Sequence, residues 1–370
     1  MRAVRTRGAA LPVAAAIALV ASMHVVARPL SQPVLEEIRS LAAQYIEDDL
    51  SPGLILGIRC GTSYWIEAFG ISDISTGEPL ATSHQFLVGS IAKQFVASAV
   101  MRLAEDGRLD LDDPICEYVP HLTETWARIT VRHCLNHTSG TFSFSGLPID
   151  IGHGTLTSEA VIGFITSGRL FFKPGEDFLY STVGYFLLGY IVEQVTGASV
   201  DIFIDREFLQ PLGMKDTGFL ALRRPTDLAG YHQHYWRGQA FFTDPPTTSR
   251  GLADGMYSTA RDLFVWQAAL ASGQVVSASS YATMTDRTTT RDADGEETTH
   301  DYGFGLEVFA NERDETTEVG HWGNGGGHIA FLWSYPPYDI AVVALQNSNG
   351  RLAPLLDEIE SILLGVTCDE

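Results

Sequence analysis

The chain has 370 residues, of which 45% are hydrophobic and 19% charged, so it is too apolar for a disordered protein. Its 24 basic and 45 acidic residues give a formal net charge of −21. A chain this acidic repels nucleic acid and anionic lipid, which excludes nucleic-acid binding through contacts to phosphates.

The N-terminus predicts an export signal. Residues 1–8 carry three arginines and no acidic residue, and an apolar, Ala-rich run follows. Small residues then precede a cleavage point after Ala27, so residues 1–27 are interpreted as a signal peptide. No later run of about 18 apolar residues occurs, so no membrane insertion is expected after cleavage. The prediction is a periplasmic or secreted protein, with an uncleaved anchor as the alternative.

The remaining pattern predicts β-rich ends around a helical middle. The expected helices cover 34–48, 90–107, 130–136, 158–167, 181–196, 199–209, 258–273 with Ser258 as N-cap, and 352–364. The expected strands form a hairpin around Gly61-Thr62 and four runs over 302–309, 316–323, 328–336 and 339–347. The fold class is therefore α/β (α+β): one antiparallel sheet built from both chain ends and flanked by helices. Its sheet region spans about 28–89 and 255–370, and an inserted, mainly helical region spans about 90–254.

Neither the cysteines nor the histidines indicate a metal site. The four cysteines are widely spaced and form no Cys-x-x-Cys pair, so free thiols with at most one disulfide are expected. His232 and His234 have no acidic or Cys partner nearby and are interpreted as structural or surface residues. We expect neither a metal nor any other cofactor.

One tetrapeptide, Ser90-Ile91-Ala92-Lys93, lies where a strand-like run becomes a helix. The start of a helix presents unpaired backbone N–H groups to the Ser hydroxyl. Spacing of i to i+3 puts Lys93 on the same helical face, within reach of Ser90. A partly desolvated amine beside a serine can activate its hydroxyl as a nucleophile, although this spacing alone is also common by chance.

The longer segment VGSIAKQFVASAVMRLAEDGRLDLDDPI resembles the nucleophile helix of the serine β-lactamase-related hydrolases. These comprise class C β-lactamases, D-alanyl-D-alanine carboxypeptidases, D-aminopeptidases and related esterases. The resemblance continues in order through 129–141, 172–197, 208–219, 253–266, 302–309 and 320–331. It covers about residues 35–350 and implies a β-lactamase/transpeptidase-like fold, with one such domain over 28–370.

The resemblance implies a role for each matching position. Ser90 would be the acylated nucleophile, with Lys93 and Tyr180 as its activating pair. Which of these two is the base stays open. The backbone N–H of Asn324, together with that of Ser90, would form the oxyanion hole.

Further positions would line the substrate site. His321 and Gly323 belong to the strand beside the nucleophile, and Gly323 would leave room there for the substrate. The chain departs from the family at Thr182, where Tyr-x-Asn is usual. It departs again at Trp322, where a small hydroxyl residue helps to hold a substrate carboxylate. His321, as a weak cation, and the large ring of Trp322 predict an ester, or a peptide without a strict carboxylate anchor.

Two other segments have structural interpretations. His137 and Ser139 resemble a Ser–His pair, but the related hydrolases use that stretch as a structural loop. The glycine-rich run 323–327 precedes a strand rather than a helix, so it is not expected to bind phosphate.

The sequence thus predicts an exported serine hydrolase that acts through an acyl-enzyme on esters or on D-amino-acid-containing amides and peptides. Its partner would be a small-molecule substrate or a peptide or peptidoglycan-like substrate. The alternatives are a β-lactamase, or a catalytically silent homologue that binds peptidoglycan or a protein.

Overall fold

The structure is a computed structural model of the chain. It describes residues 30–120, 122–142, 162–163, 168–222, 228–229, 234–236, 239–241, 255–311 and 316–365. The predicted signal peptide, His232 and most of the predicted helix over 158–167 lie outside these ranges.

The N-terminal elements match the predicted helix and hairpin. Helix α1 spans Gln32–Glu47, and strands β1 (Gly53–Cys60) and β2 (Ser63–Asp73) follow. Cys60 pairs with Ser63 across the two-residue loop at Gly61-Thr62, where Gly61 has φ +59°. Glycine is favoured in such a turn because it lacks the Cβ that makes positive φ costly.

In the described residues of the middle of the chain, most of the regular structure is helical, as predicted. Its elements are β3 (Glu78–Pro79), β4 (Phe86–Leu87), α2 (Ala92–Glu105), α3 (Val131–Leu135), α4 (Thr182–Thr196), α5 (Val200–Ile204), α6 (Gln210–Leu212), β5 (Gly218–Phe219), β6 (His234–Trp236) and β7 (Gln239–Phe241). A 3₁₀ turn over Gly89–Ile91 leads into α2, and a π-helical turn over Asp205–Leu209 joins α5 to α6.

The C-terminal part returns to strands. Its elements are β8 (Met256–Ser258), α7 (Ala260–Ala271), α8 (Ala278–Met284), β9 (Thr289–Arg291), β10 (Glu297–Thr299), β11 (Glu307–Asn311), β12 (Thr316–Gly325), β13 (His328–Tyr335), β14 (Ile340–Gln346) and α9 (Ala353–Leu363).

Two predictions for this part are wrong in detail. Ser258 ends β8, and Thr259 caps α7 by accepting the Asp262 N–H, so the cap lies one residue later than predicted. Residues 302–306 precede the strand instead of belonging to it. The Phe304 N–H donates to the Met284 carbonyl oxygen at 2.9 Å and the Gly303 N–H to the Leu306 carbonyl oxygen at 2.8 Å, so this segment is bonded to the end of α8 and to itself instead of to a neighbouring strand.

The main sheet confirms the predicted fold class. Its strands run in the order β11-β12-β13-β14-β1-β2-β3, and each neighbouring pair in this order is antiparallel. The two ends of the chain meet where β1 pairs with β14, with Leu54 opposite Gln346.

Each face of this sheet buries a separate core. On one face, Ile55 and Leu332 pack in a cluster with the buried sides of α2, α4 and α7. On the other face, Leu54 and Phe331 pack with α1 and α9. Burying one Leu, Ile or Phe side chain contributes about 1.5–3 kcal/mol, so a strand buried on both faces is held firmly against its neighbours.

The described cysteines include both free thiols and a disulfide-bonded residue, as predicted. Cys60 is disulfide-bonded, whereas Cys116 and Cys134 are free. Burial raises the pKa of the Cys134 thiol to about 12, so this thiol is inert at neutral pH.

The longest of the described helices, α1, has 16 residues, fewer than the about 20 that a membrane-spanning helix needs. Within the described ranges, no single helix is long and apolar enough to cross one. One bent pair, Thr182–Thr196 with Val200–Leu212, meets the length and composition criteria only when its two halves are combined.

Candidate active site

Gly89 brings the chain into the turn that carries Ser90. Its φ is +50°, and a Cβ there would lie 2.6 Å from the backbone nitrogen of Asn324. Just before it, the Leu87 N–H donates to His328 Nδ1 at 2.9 Å, which ties this segment to β13. The sequence therefore places Ser90 in a tight turn that is pressed against the main sheet.

Ser90 and Lys93 are in contact, as their spacing predicts. Lys93 Nζ donates to Ser90 Oγ at 3.0 Å, and the Lys93 side chain is buried. The ammonium lies 4.9 Å from the ring centroid of Tyr180 and 5.6 Å from that of Tyr185. Two aromatic faces thus hold the amine beside the hydroxyl and screen it from water.

Tyr180 is positioned by His137, which the resemblance assigns only to a structural loop. The His137 ring lies 4.4 Å from the Tyr180 ring, and its Nδ1 accepts the N–H of Ser181 at 3.1 Å. Burial, with the nearby charge of Lys93, holds the pKa of His137 well below its usual range. His137 is therefore a neutral, buried support for Tyr180.

The loop that contains His137 and Ser139 has the structural role expected of it. Ser139 Oγ lies 2.7 Å from Thr141 Oγ1, which lies 2.8 Å from Ser181 Oγ. Ser181 in turn caps α4 by accepting the Gly184 N–H at 3.1 Å. The Ser139 hydroxyl is thus committed to a chain of contacts that orients the start of α4, where Thr182 is the first residue.

The edge of β12 faces the turn that carries Ser90. Strand β11 begins at Glu307, which pairs with Gly320, so it does not cover β12 beyond that point. At Gly323 a Cβ would lie 1.9 Å from the Val88 carbonyl oxygen. Gly323 is therefore needed so that the strand and the turn can touch. This reason differs from the predicted one, which was space for the substrate.

Backbone geometry orients the N–H of Asn324 toward the same turn. The Trp322 N–H donates to Glu307 Oε1 at 3.3 Å, so it points to the β11 side of the strand. Because N–H directions alternate along a strand, the N–H of Asn324 points to the same side, where the turn lies. The Asn324 side chain itself is exposed.

The predicted place of Trp322 in the substrate site is wrong. Trp322 pairs with Phe331, and their rings lie 4.7 Å apart within the cluster under α1 and α9. Adjacent residues of a strand point to opposite faces, so the indole lies on the other face of the sheet from His321. The Trp322 ring therefore does not face the nucleophile and supplies no reason to prefer an ester.

His321 lies deep in the site and carries no charge. Its Nε2 is 3.1 Å from the Tyr302 hydroxyl, and its Nδ1 is 3.3 Å from Glu307 Oε1. Burial, together with the charge of Lys93, lowers the pKa of His321 to about 3. The prediction of a weak cation at this position is therefore wrong at neutral pH.

An open cleft of about 480 Å³ adjoins Tyr180. Its walls combine four aromatic rings with two carboxylates and one threonine: Phe178, Tyr180, His300, Tyr302, Asp301, Glu307 and Thr299. Neither carboxylate stands out in the sequence, because both lie in or beside a stretch predicted as a single strand. In the part of the chain that the structure describes, no group of three or more potential ligands could hold a metal ion.

The buried state of His321 predicts that the protein loses stability in mild acid. The unfolded chain takes up a proton near pH 6.5, whereas folded His321 stays neutral down to about pH 3, so the free energy of unfolding falls as pH falls. Between pH 6.5 and 5 this one group accounts for about 1.5 kcal/mol.

Urea unfolding at the two pH values measures this loss, with the His321→Gln variant as the comparison. The variant is expected to lose less stability than the unaltered protein over the same interval. An equal loss in both proteins would contradict the neutral, buried histidine.

The family model described as Beta-lactamase matches residues 38–367. Among curated proteins, the chain is 26% identical over 342 residues to penicillin-binding protein 4* from Bacillus subtilis, covering 86% of this chain and 73% of that protein. It is 32% identical over 189 residues to protein flp from Staphylococcus aureus, covering 47% of this chain and 37% of that one.

Solved structures share the fold. The octameric penicillin-binding protein homologue from Pyrococcus abyssi has a TM-score of 0.76 at 26% identity, covering 91% of this chain and 78% of that one. D-amino acid amidase from Ochrobactrum anthropi SV3 also has a TM-score of 0.76, at 23% identity, covering 90% of this chain and 99% of that one. Because the family model covers most of the chain, the match decides the family: this chain belongs to the beta-lactamase family and is a serine hydrolase of that family.

Proposed function

We propose that this protein is an exported serine hydrolase that cleaves esters or D-amino-acid-containing amides through an acyl-enzyme at Ser90. The observation that carries the proposal is the 3.0 Å contact between Ser90 Oγ and Lys93 Nζ, with the ring of Tyr180 packed on the same ammonium. A serine hydroxyl needs such a neighbour to act as a nucleophile at neutral pH.

The proposed reaction has two steps. Ser90 Oγ attacks the substrate carbonyl, its proton passes to the Lys93–Tyr180 pair, and this pair returns a proton to the leaving group. Water then attacks the acyl-enzyme, and the acid is released as Ser90 regains its proton. In both steps the negative oxygen would be held by the backbone N–H groups of Ser90 and Asn324.

The electrostatics of the site disfavour a substrate with a free carboxylate near the leaving group. His321 is neutral, and beside it at the edge of the cleft lies the Glu307 carboxylate, which accepts the Trp322 N–H. A substrate carboxylate placed here would gain no cation from His321 and would face a like charge on Glu307. This supports esters and amides over β-lactams and over peptides with a free C-terminus. The amide branch also agrees with the structural likeness to the D-amino acid amidase.

A panel of three substrate classes tests the proposal. The panel contains p-nitrophenyl acetate and butyrate, D-amino-acid amides, and the chromogenic cephalosporin nitrocefin. The ratio of kcat/KM for the ester to that for nitrocefin is expected to exceed the ratio of a class C β-lactamase by about tenfold or more, because a charge-assisted carboxylate contact is missing.

The position of Trp322 supplies an internal control for this panel. Since its indole packs under α1 and α9, Trp322→Thr is expected to leave the ester-to-nitrocefin ratio unchanged. Turnover of nitrocefin by the unaltered protein at the level of the reference enzyme would sink the ester and amide assignment and favour the β-lactamase alternative.

Export is proposed from the Arg-rich start, the Ala-rich apolar run and the small residues before Arg28. The mature protein is expected to begin near Arg28 and to be found in the periplasm or the medium. N-terminal sequencing of the fractionated protein checks this. Recovery of the intact chain from Met1 in the cytoplasm would refute export.

A further inference from the structure

The cleft beside Tyr180 pairs aromatic walls with a carboxylate that has no Lys or Arg partner among the described residues. Phe178 stacks on His300 with ring centroids 4.9 Å apart, and Tyr180 meets Tyr302 edge-on at 5.9 Å. Proteins bind organic ammonium groups with cages of aromatic rings, and a nearby carboxylate adds the attraction of an opposite charge.

The two carboxylates of the cleft are in different states. Asp301 Oδ1 is bound to Arg287 Nη2 at 2.5 Å, so its charge is already balanced. Within the described ranges, Glu307 Oε1 meets the Trp322 N–H and the neutral His321 ring. Burial raises the pKa of Glu307, as expected for a carboxylate that is partly desolvated without a cation beside it. Glu307 is therefore the residue that would gain most from a bound cation.

The position of Tyr180 in its wall indicates that this cleft receives the leaving group of the substrate. Tyr180 forms part of its wall, whereas Ser90 and Asn324, where the oxyanion would lie, do not line it. In acyl transfer, the group that returns a proton to the leaving atom must stand beside that atom, and the oxyanion points away from it. Substrate atoms beyond the scissile bond would thus enter the space between Tyr180 and Glu307.

We infer that this cleft is a leaving-group subsite for an organic cation, so that the preferred substrates are esters or amides of an amino alcohol or a diamine. The inference rests on the proposed function for its catalytic part, since hydrolysis releases the cationic alcohol or amine with the proton returned by the Lys93–Tyr180 pair. Binding of the cation itself is independent of turnover.

Binding and turnover test the inference separately. Isothermal titration calorimetry compares choline with 3,3-dimethylbutan-1-ol, which has the same shape without the charge. Choline is expected to bind at least about tenfold more tightly, as expected for a cation that meets aromatic faces and a carboxylate. Likewise, kcat/KM for acetylcholine is expected to exceed that for 3,3-dimethylbutyl acetate by about the same factor.

Two matched variants locate the effect. Glu307→Gln keeps an acceptor for the Trp322 N–H but removes the charge. It is expected to bring two ratios close to one: the affinity for choline over that for its neutral analogue, and kcat/KM for acetylcholine over that for its neutral analogue. Glu318→Gln removes the same charge from β12 beside Glu360, away from the cleft, and is expected to keep both ratios.

The outcomes separate this inference from the proposed function. Equal binding of choline and its neutral analogue overturns the cation subsite, even if neutral esters are hydrolysed and the proposed function stands. Charge-dependent binding that is lost in Glu307→Gln supports the subsite even if neither ester is turned over, a result that would count against the proposed function alone. If Glu307→Gln still prefers choline to the neutral analogue, the assignment of cation binding to the Glu307 carboxylate is overturned.

Discussion

Ser90→Ala is expected to abolish hydrolysis of every substrate that the protein accepts. The Ser90 hydroxyl receives the hydrogen bond of the buried Lys93 ammonium at 3.0 Å, so its removal leaves the activating pair without a nucleophile. Loss of a catalytic serine costs about 10⁴-fold or more in kcat, and the remainder reflects binding and the oxyanion hole alone. Steady-state kinetics on p-nitrophenyl acetate, with circular dichroism to verify folding, measures the loss.

Lys93→Ala and Tyr180→Phe provide the graded comparison. Each removes one member of the proton-transfer pair but keeps the nucleophile, so each is expected to cost about 10²–10⁴-fold in kcat. A folded Ser90→Ala protein whose activity is close to that of the unaltered protein would show that the nucleophile lies elsewhere.

Gly323→Ala is the second substitution with a large expected effect, although it removes no reactive group. The new Cβ would lie 1.9 Å from the Val88 carbonyl oxygen, which is backbone and cannot rotate aside. The edge of β12 must then move away from the turn that carries Ser90, and with it the N–H of Asn324. A displacement of about 1 Å between reacting groups costs about 10²-fold in kcat.

Gly325→Ala is the matched control for this prediction. Its Cβ would lie 3.5 Å from the Cα of Gly89, an ordinary van der Waals distance, so activity close to that of the unaltered protein is expected. Thermal unfolding of both variants separates lost geometry from lost folding. Full activity in folded Gly323→Ala would contradict the close contact between strand and turn.

Local rules of spacing predict much of the site from the sequence. The i to i+3 spacing predicts that Lys93 reaches Ser90, and the two side chains are 3.0 Å apart. The β-rich ends predict a sheet made from both parts of the chain, and β1 does pair with β14. Both predictions depend on periodicities that a sequence shows directly.

The sequence itself holds the signal that corrects the error at Trp322. Side chains alternate between the faces of a strand, so His321 and Trp322 cannot both face the nucleophile. The comparison with the His-x-Gly motif places both residues in the substrate site and so ignores this alternation. The sequence does not show that His321 is uncharged. Its low pKa depends on burial beside Tyr302, and no local sequence pattern shows this burial.

The roles of Glu307 and His137 could not be found by pattern at all. Glu307 reaches the backbone of Trp322 only because β11 begins beside the middle of β12. His137 supports Tyr180 from a loop about forty residues earlier in the chain. Both are products of tertiary packing, which brings together residues that are distant in sequence.

Identification of the residue that becomes covalently modified tests whether Ser90 is the nucleophile. The mature, unaltered protein is treated with a fluorophosphonate, and peptide mapping by mass spectrometry locates the adduct. We expect one adduct, on Ser90, that forms far more slowly in Lys93→Ala. An adduct on Ser139 or on any other serine, with Ser90 unmodified, would contradict this assignment.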